Sequence, residues 1–414
     1  MQRSSTDSHP YWLNVPLIRG ETYRPQPSSK IAPSIIIVGS GLSGISAGYF
    51  LLKKGFENVW VIDDQPEAAA SYRNCGHILY GTVESMKAMT EIHGPEKARD
   101  LWAFSIEICD LIPKTLTELQ IDADYRRDGY LVISIDEVED RECRESVELL
   151  NQAGFQSDYW SAEKVREHGF KSVFGARYER GSAQAHPVKF RNGLVRAFQQ
   201  LGGTYYSGLQ VSSIQERSDG VSLQLTDGTS LEAEATVIAA NAYSPLFSGF
   251  FRENRLIEPF RGQILASQPL KGHQFPVRFP HSFDHGYEYA LISEDNRLIL
   301  GGWRQNSETR EVGTYSLETN PQIEEGLAQF AKDHYQIAEE FQWEYSWSGI
   351  MAASKTGLPF IGPTHSPRIF ACAGYTGHGF SWAHGSAKLL ADIIAGDPLP
   401  SVAPYFNPKA SLVR

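Results

Sequence analysis

Apolar positions along the chain switch between two spacings, and the switches mark out the elements. Residues 35–38, "IIIV", form a β-branched run with no polar alternation, the pattern of a strand buried on both faces. Over 42–54 the spacing becomes helical, with Lys53 and Lys54 near the C-terminal end and Gly55 as its cap. "VWVID", residues 59–63, predicts a second strand. The same order recurs far downstream, where 369–373 reads as a strand and 381–394 as a helix. Between these ends the pattern predicts a short buried strand over 236–240 and an amphipathic helix over 188–203. "VSLQLTDGTSLEAEA" is a hairpin turning at Asp227-Gly228. "RDGYLVISID" predicts a strand after a turn, "EYALISEDNRLILGGW" a hairpin, and 141–153 and 321–338 amphipathic helices. Residues 1–30, broken by proline, form an extended arm that wraps onto the body, with Tyr11 and Trp12 as anchors.

Glycines join the first strand to the first helix. Gly39 permits a sharp turn, Gly41 lets backbone approach a pyrophosphate, and Gly44 lets the helix press onto the strand. Ser40, Leu42 and Ser43 fill the turn and the helix N-terminus, whose free N–H groups and positive dipole suit phosphates. Asp63 closes the second strand twenty-two residues after Gly41, where a carboxylate accepts hydrogen bonds from ribose hydroxyls, with Asp64 beside it. A plain βαβ unit without ligand is the competing interpretation, and glycines alone do not exclude it. Strand, glycines, helix, strand and terminal acid together favour a dinucleotide.

Both NAD and FAD fit that unit, and three later segments favour FAD. "ASYRNCGHI", residues 70–78, puts a polar loop where an NAD domain normally enters another crossover helix; Ser71, Arg73, Asn74, Cys75, Gly76 and His77 suit contacts to a pyrophosphate and a flavin ring. "ATVIAANAYSP" ends its strand at Asn241-Ala242, small residues that let backbone pass a ligand. Gly374, Gly377 and Gly379 make a second turn before the last helix, carrying Tyr375, Thr376 and His378. A helix N-terminus there faces the ring edge where negative charge gathers on reduction, and NAD has no ring needing it.

Composition narrows the partners. The 414 residues are 41% hydrophobic and 21% charged, ordinary for a globular chain. A net charge of −11 argues against nucleic-acid or anionic-membrane binding. No apolar run approaches the roughly 20 residues of a membrane-spanning helix, and the N-terminus lacks a secretory core. Cys75, Cys109, Cys143 and Cys372 show no metal-ligand spacing, so no metal is expected and reduced thiols in a cytoplasmic protein are. No nucleophile elbow, zinc helix or P-loop is found.

The motifs resemble the D-amino-acid oxidase-like superfamily of FAD-dependent oxidoreductases, and within it the gamma-glutamylputrescine oxidase-like and glycine/sarcosine oxidase-like branch. "YW" near the start, "IIIVGSGLSGISAGYFL", "SYRNCGHI", "ATVIAANAYSP", "PFRGQILAS", "WSGIMAASKTGLPFIGP" and "GYTGHGF" carry the resemblance in order over nearly the whole chain. It implies an α/β (α+β) fold: a Rossmann-like FAD-binding domain of 31–84, 180–260 and 345–398, interleaved with a mixed-sheet substrate-binding domain of 85–179 and 261–344. Val211 joins the FAD-binding residues on the same ground. The implied reaction takes hydride from the carbon beside a neutral amine to flavin N5, the imine then hydrolyses, and oxygen or another acceptor receives the electrons. Substrates would be small amines or amino acids; a homo-oligomer or a partner enzyme stays open.

Such chemistry asks for positioning and water exclusion more than for acid–base groups. His378 is placed by the resemblance over the flavin, or else caps the last helix. Trp303 and Arg304 follow a strand facing the ring, where Arg304 binds a substrate carboxylate or is merely solvated. Gln263 reaches toward the pocket, and Lys355 lies near N5 or on the surface. An arginine lining the pocket points to an amino acid; Asp284 or Glu288 there points to a polyamine-like cation. Two departures from the branch, Cys75 for a glycine and Lys355 in "SKTG" for an acid, keep open a non-catalytic flavoprotein or accessory subunit assisting maturation of another enzyme. Cys75 is taken as a small packed thiol rather than a thioether to the ring.

Overall fold

The computed structural model describes residues 6–24, 33–271, 279–337 and 341–412. Its framework is a seven-stranded sheet in the order Glu21–Thr22, Thr204–Ser207, Val59–Asp63, Ile35–Val38, Ala235–Ile238, Ile369–Ala373, Phe360–Pro363. All neighbours run parallel except the last pair. The strand pattern explains its burial. Ile35 and Ile37 point into one core with the helices Leu42–Lys53, Pro187–Gln200 and Gly379–Ala395. Ile36 and Val38 point into another, against the three-stranded sheet of Val211–Glu216, Val221–Leu225 and Ser230–Ala233. A strand covered on both faces has no need of polar alternation.

A second, eight-stranded mixed sheet has the order Trp343–Ser354, Ile257–Ser267, Leu298–Gly301, Glu288–Ile292, His281–Phe283, Tyr130–Ser134, Gly175–Glu179, Asp158–Ser161. Its two longest strands pair antiparallel from Ile257 opposite Ser354 to Ser267 opposite Trp343. Its own core includes Leu131, Phe170, Leu300 and Leu327, the last from the helix Pro321–His334. Thus the chain is a mixed α/β protein with a Rossmann-like dinucleotide sheet beside a mixed sheet.

The predicted elements are present with shifted ends. The last helix begins at Gly379, two residues early, because Gly377 at φ +86° turns the chain and His378 serves as N-cap. The hairpin turns at Gly228, φ +89°. The arm does wrap onto the body, as Trp12 is buried and Tyr11 bonds Asp295. It also adds Glu21–Thr22 as an edge strand beside Tyr206 and Ser207, which its pattern does not announce. Residues 1–5 and 25–30 of the arm and residue 338 lie outside the described residues; the helix expected over 321–338 ends at His334, where Tyr335 turns to extended backbone.

Candidate cofactor and substrate site

The glycine turn fits a dinucleotide by what it excludes. A Cβ on Gly39 would meet the Ala239 carbonyl oxygen at 2.6 Å, and one on Gly44 would meet the Gly39 oxygen at 1.8 Å. Backbone and helix therefore touch only because both are glycines. Asp63 Oδ2 accepts the Ser40 N–H at 2.6 Å, which fixes the carboxylate at the end of its strand. Burial pushes the Asp63 carboxyl up, while the Ser40 bond and the Arg191 charge oppose it. Arg191, which the sequence pattern does not single out, donates from Nε to the Ser40 oxygen at 3.2 Å and from Nη2 to the Tyr205 hydroxyl at 3.0 Å. It holds the turn from behind.

The two glycine units meet at this point. Ser43 Oγ donates to the Cys372 oxygen at 2.9 Å and shares a bond with the Tyr375 hydroxyl at 2.7 Å. Asn241, at φ +46°, accepts the Gly374 N–H at 2.9 Å. A cavity of about 350 Å³ opens between them. Gly39, Gly41, Leu42, Ser43, Asp63 and Asp64 border it on one side. Ser71, Val211, Asn241, Ala242, Tyr375 and Gly379 border it on the other. Ser40 and Gly44 stand behind this wall. Ser71 Oγ takes the Leu42 N–H at 2.8 Å, so the polar loop closes over the helix tip. Glycine-lined backbone, a helix N-terminus and a strand-end acid are the donor set that an adenosine diphosphate moiety needs.

A second cavity, of about 580 Å³, shares Ala70, Asn74, Met351, Gly377 and Phe380 with the first, so the two adjoin. Arg73, Cys75, His77, Thr376, His378 and Arg304 border it. Arg73 is spent on backbone, bonding the Glu67 and Ser348 oxygens at 2.7 Å each. Asn74 ties the loop, donating to Ala70 and Ser71 and accepting from Gly76. Gly76 itself, at φ +80°, packs against Ala185 and borders neither cavity. Burial pushes the Cys75 thiol far up, so it stands as a neutral group.

Two histidines in this wall are neutral. His77 Nε2 lies 3.0 Å from the Ala290 carbonyl oxygen, an acceptor, so Nε2 carries the proton. Burial lowers its pKa to about 3. Burial likewise lowers His378 to about 4. Among the described residues His378 Nδ1 has no hydrogen-bond partner, the Thr376 backbone acts on the ring, and the side chain makes no cap bond to the helix it precedes. Thr376, at φ +47°, donates its N–H to the Ala352 oxygen at 2.8 Å, pinning the turn to the second sheet.

Arg304 stacks over Phe260 and Tyr287, 4.5 and 5.5 Å from the ring centroids, and gives one bond from Nη1 to the Arg310 oxygen. The other three expected catalytic residues do not reach the cavity. Trp303 adopts φ +63° and lays its indole on Gly326. The Gln263 carboxamide is taken by Asn320 N–H at 2.7 Å and Ser346 at 3.3 Å. Lys355 is exposed, with Nζ 3.4 Å from the Ser411 oxygen. Neither Asp284 nor Glu288 borders the cavity; burial raises Glu288 to about 7, and Gln305 bridges the two carboxyls. Trp102, Tyr130, Ser146 and Arg177 do border it and were not foreseen. The available signal for Arg177 was a charged residue at an inward position of the short strand "GARYE".

With this geometry in place, comparison with known proteins is informative. The family model described as FAD dependent oxidoreductase (DAO) matches residues 34–393. A probable oxidoreductase of Haemophilus influenzae is 23% identical, over 88% of this chain and 83% of its own. The gamma-glutamylputrescine oxidoreductase of Escherichia coli is 24% identical, over 89% and 85%. Glycine oxidase from Geobacillus kaustophilus superposes with a TM-score of 0.77 at 21% identity, covering 91% of this chain and 98% of that one. Among the described residues no helix is long and apolar enough to cross a membrane.

Proposed function

The chain belongs to the FAD dependent oxidoreductase (DAO) family, and from that premise we propose how its residues divide the work of oxidising a small amine or amino acid. It is an FAD-dependent enzyme of the amine- and amino-acid-oxidising type. We take Asp63 to bind the adenosine ribose, and Gly39, Gly41 and the helix tip at Leu42–Ser43 to receive the pyrophosphate. The turn Thr376–Gly379 presents backbone to the ring. Bound there, FAD would supply a two-electron acceptor for oxidation at the carbon beside the amine nitrogen, with dioxygen or another acceptor as the final oxidant.

The protein's part is position and dryness. His378 Nδ1, buried and without a hydrogen-bond partner among the described residues, is the group we assign to hydrogen-bond the substrate nitrogen. His77 and His378 stay neutral, so neither repels a substrate ammonium as it sheds its proton. Tyr289, Met351 and Phe380 line the wall and keep water out. Arg304 also borders the cavity, stacked on Phe260 and Tyr287, and is the alternative seat for a substrate carboxylate. We assign residues 31–84, 180–260 and 345–398 to FAD, 85–179 and 261–344 to substrate, and the cytoplasm as the compartment.

One observation carries the proposal: the cavity at the first helix tip and the cavity beneath the last helix adjoin at Asn74 and Gly377. The two departures that left an accessory role open are a buried neutral thiol, Cys75, and a surface lysine, Lys355. Neither removes a group the reaction needs. The test is anaerobic mixing of the purified yellow protein with primary amines, secondary amines and amino acids. Bleaching of flavin absorbance by one class supports turnover; a protein that stays yellow with every class is an accessory flavoprotein instead.

A further inference from the structure

The strand Gly175–Glu179 alternates its faces. Ala176 and Tyr178 join the core of the mixed sheet. Gly175, Arg177 and Glu179 face the other way, where Gly175 lies against Asp140 of the helix Glu137–Gln152. Arg177 Nη2 pairs with Glu179 Oε1 at 3.0 Å, and Glu179 Oε2 accepts the Ser182 hydroxyl. The guanidinium carbon sits 5.5 Å from the centre of the Trp102 ring. Among the described residues Arg177 Nη1 has no hydrogen-bond partner.

On the facing helix, Ser146 Oγ is also buried without a partner. A mid-helix serine usually bonds back to the carbonyl four residues earlier, and this one does not. Arg177 and Ser146 are 8% and 2% exposed, and both border the larger cavity, with Trp102 and Cys143. Two buried donors left unmade cost free energy unless something in the cavity takes their bonds. Nη1 can only donate, and a hydroxyl can do so as well, so an acceptor-only group completes the set.

Resting on the proposed amine oxidation, we infer that Arg177 Nη1 and Ser146 Oγ form a carboxylate subsite remote from the flavin. The substrate is then an amine whose carboxylate lies several bonds from the oxidised carbon. The sheet order sets the span. His77 bonds Ala290 on the strand Glu288–Ile292, and Arg177 lies three strands along, past His281–Phe283 and Tyr130–Ser134. At ~4.8 Å per strand that is roughly 14 Å along the sheet. Reach of the arginine side chain leaves room for a linear chain of about four to six carbons. The wall also carries Glu84, Glu139 and Glu142, whose charge the arginine must outweigh. Glu139 is bonded by the backbone N–H groups of His285 and Ile135, and Glu142 lies 3.8 Å from His285.

The test measures dissociation constants of the FAD-loaded protein, its flavin first reduced with dithionite so that it cannot accept hydride, by anaerobic calorimetry. The probes are 4-aminobutanoate, 5-aminopentanoate and 6-aminohexanoate, each against the alkylamine of the same carbon count. At least one acid should bind tenfold or more tightly than its amine. Ser146→Ala should shrink that ratio several-fold. Arg177→Gln with Glu179→Gln, which removes the guanidinium without stranding its carboxylate, should abolish it. Equal binding of acid and amine by the unaltered protein overturns the inference. So does a ratio untouched by Ser146→Ala, which decides the matter if the double variant does not fold. A ratio lost in Arg304→Met but kept in the other variants moves the carboxylate to Arg304 and also overturns it. Binding is read without turnover, so absence of bleaching sinks the oxidase proposal while the subsite is still judged by its affinities.

Discussion

Ser43 and Tyr375 share a buried hydrogen bond of 2.7 Å, although 332 residues separate them in the chain. Ser43 stands in the first turn of the helix after the glycine loop, and Tyr375 in the turn before the last helix. The bond therefore fixes the two halves of the proposed FAD site against each other. Replacing Tyr375 by Phe leaves Ser43 its Cys372 acceptor but removes the hydroxyl. Loss of one buried bond costs about 1 kcal/mol. We expect a lower melting temperature for Tyr375→Phe and faster release of FAD on dilution, followed by flavin fluorescence. Unchanged release would show that the two turns are held together by other contacts.

Two glycines separate crowding from backbone strain. A methyl group on Gly44 would lie 1.8 Å from the Gly39 carbonyl oxygen, with no flexible neighbour to yield. Gly44→Ala should give protein without bound flavin, or none that folds. Gly377 has open space around it but sits at φ +86°. There an alanine costs about 1–2 kcal/mol of strain and nothing in contacts. Gly377→Ala should fold, bind FAD more weakly and keep a normal flavin spectrum when saturated. Absorbance ratios of flavin to protein distinguish the two outcomes.

Much of this arrangement is readable from spacing, because it is local. The run Ile35–Val38, the glycines after it and Asp63 belong to one contiguous strand–helix–strand unit, so pattern and structure agree. Side-chain direction is different, since it depends on register against distant strands. Trp303 and Arg304 both follow the strand Leu298–Gly301, yet the left-handed φ of +63° at Trp303 sends its ring to Gly326 and leaves Arg304 to the cavity. Gln263 points away from the pocket because Asn320, in a segment joined only by folding, claims its oxygen. Arg177 escaped notice for the converse reason: Trp102, on which it stacks, and Ser146, which shares its cavity wall, come from two helices that precede its strand.

His384 gives a pH prediction with a definite sign. Its ring is fully buried, with Nδ1 2.9 Å from Ser46 Oγ and Nε2 2.9 Å from Thr115 Oγ1. Burial lowers its pKa from the ordinary 6.5 to about 3. Between those values the unfolded chain binds a proton that the folded chain refuses. Stability is thus complete above pH 6.5 and falls as the pH drops toward the folded value, by about 1.4 kcal/mol per unit for this group. Denaturant titrations from pH 7.5 to 5 should show that slope shrink by about this amount in His384→Gln. An identical slope in the variant would assign the acid limb to other groups, His77 and His378 first among them.

The N-terminal arm reaches the loop 70–78 through the Trp12 indole. Trp12 Nε1 donates to the Asn74 carbonyl oxygen at 2.7 Å, and the ring packs edge-on against His186 at 4.8 Å between centroids. Tyr72, Cys75, Val188 and Trp347 share its cluster. Asn74 borders both cavities, so the arm buttresses the place where they join. Trp12→Ala should cost about 3–5 kcal/mol, as for other large buried aromatics. Trp12→Phe keeps most of the packing, loses the bond and should cost about 1 kcal/mol from that loss. Stability and FAD retention should then fall together, in the order wild type, Trp12→Phe, Trp12→Ala. A loss of stability with no change in flavin retention would confine the arm to a packing role and detach it from the site.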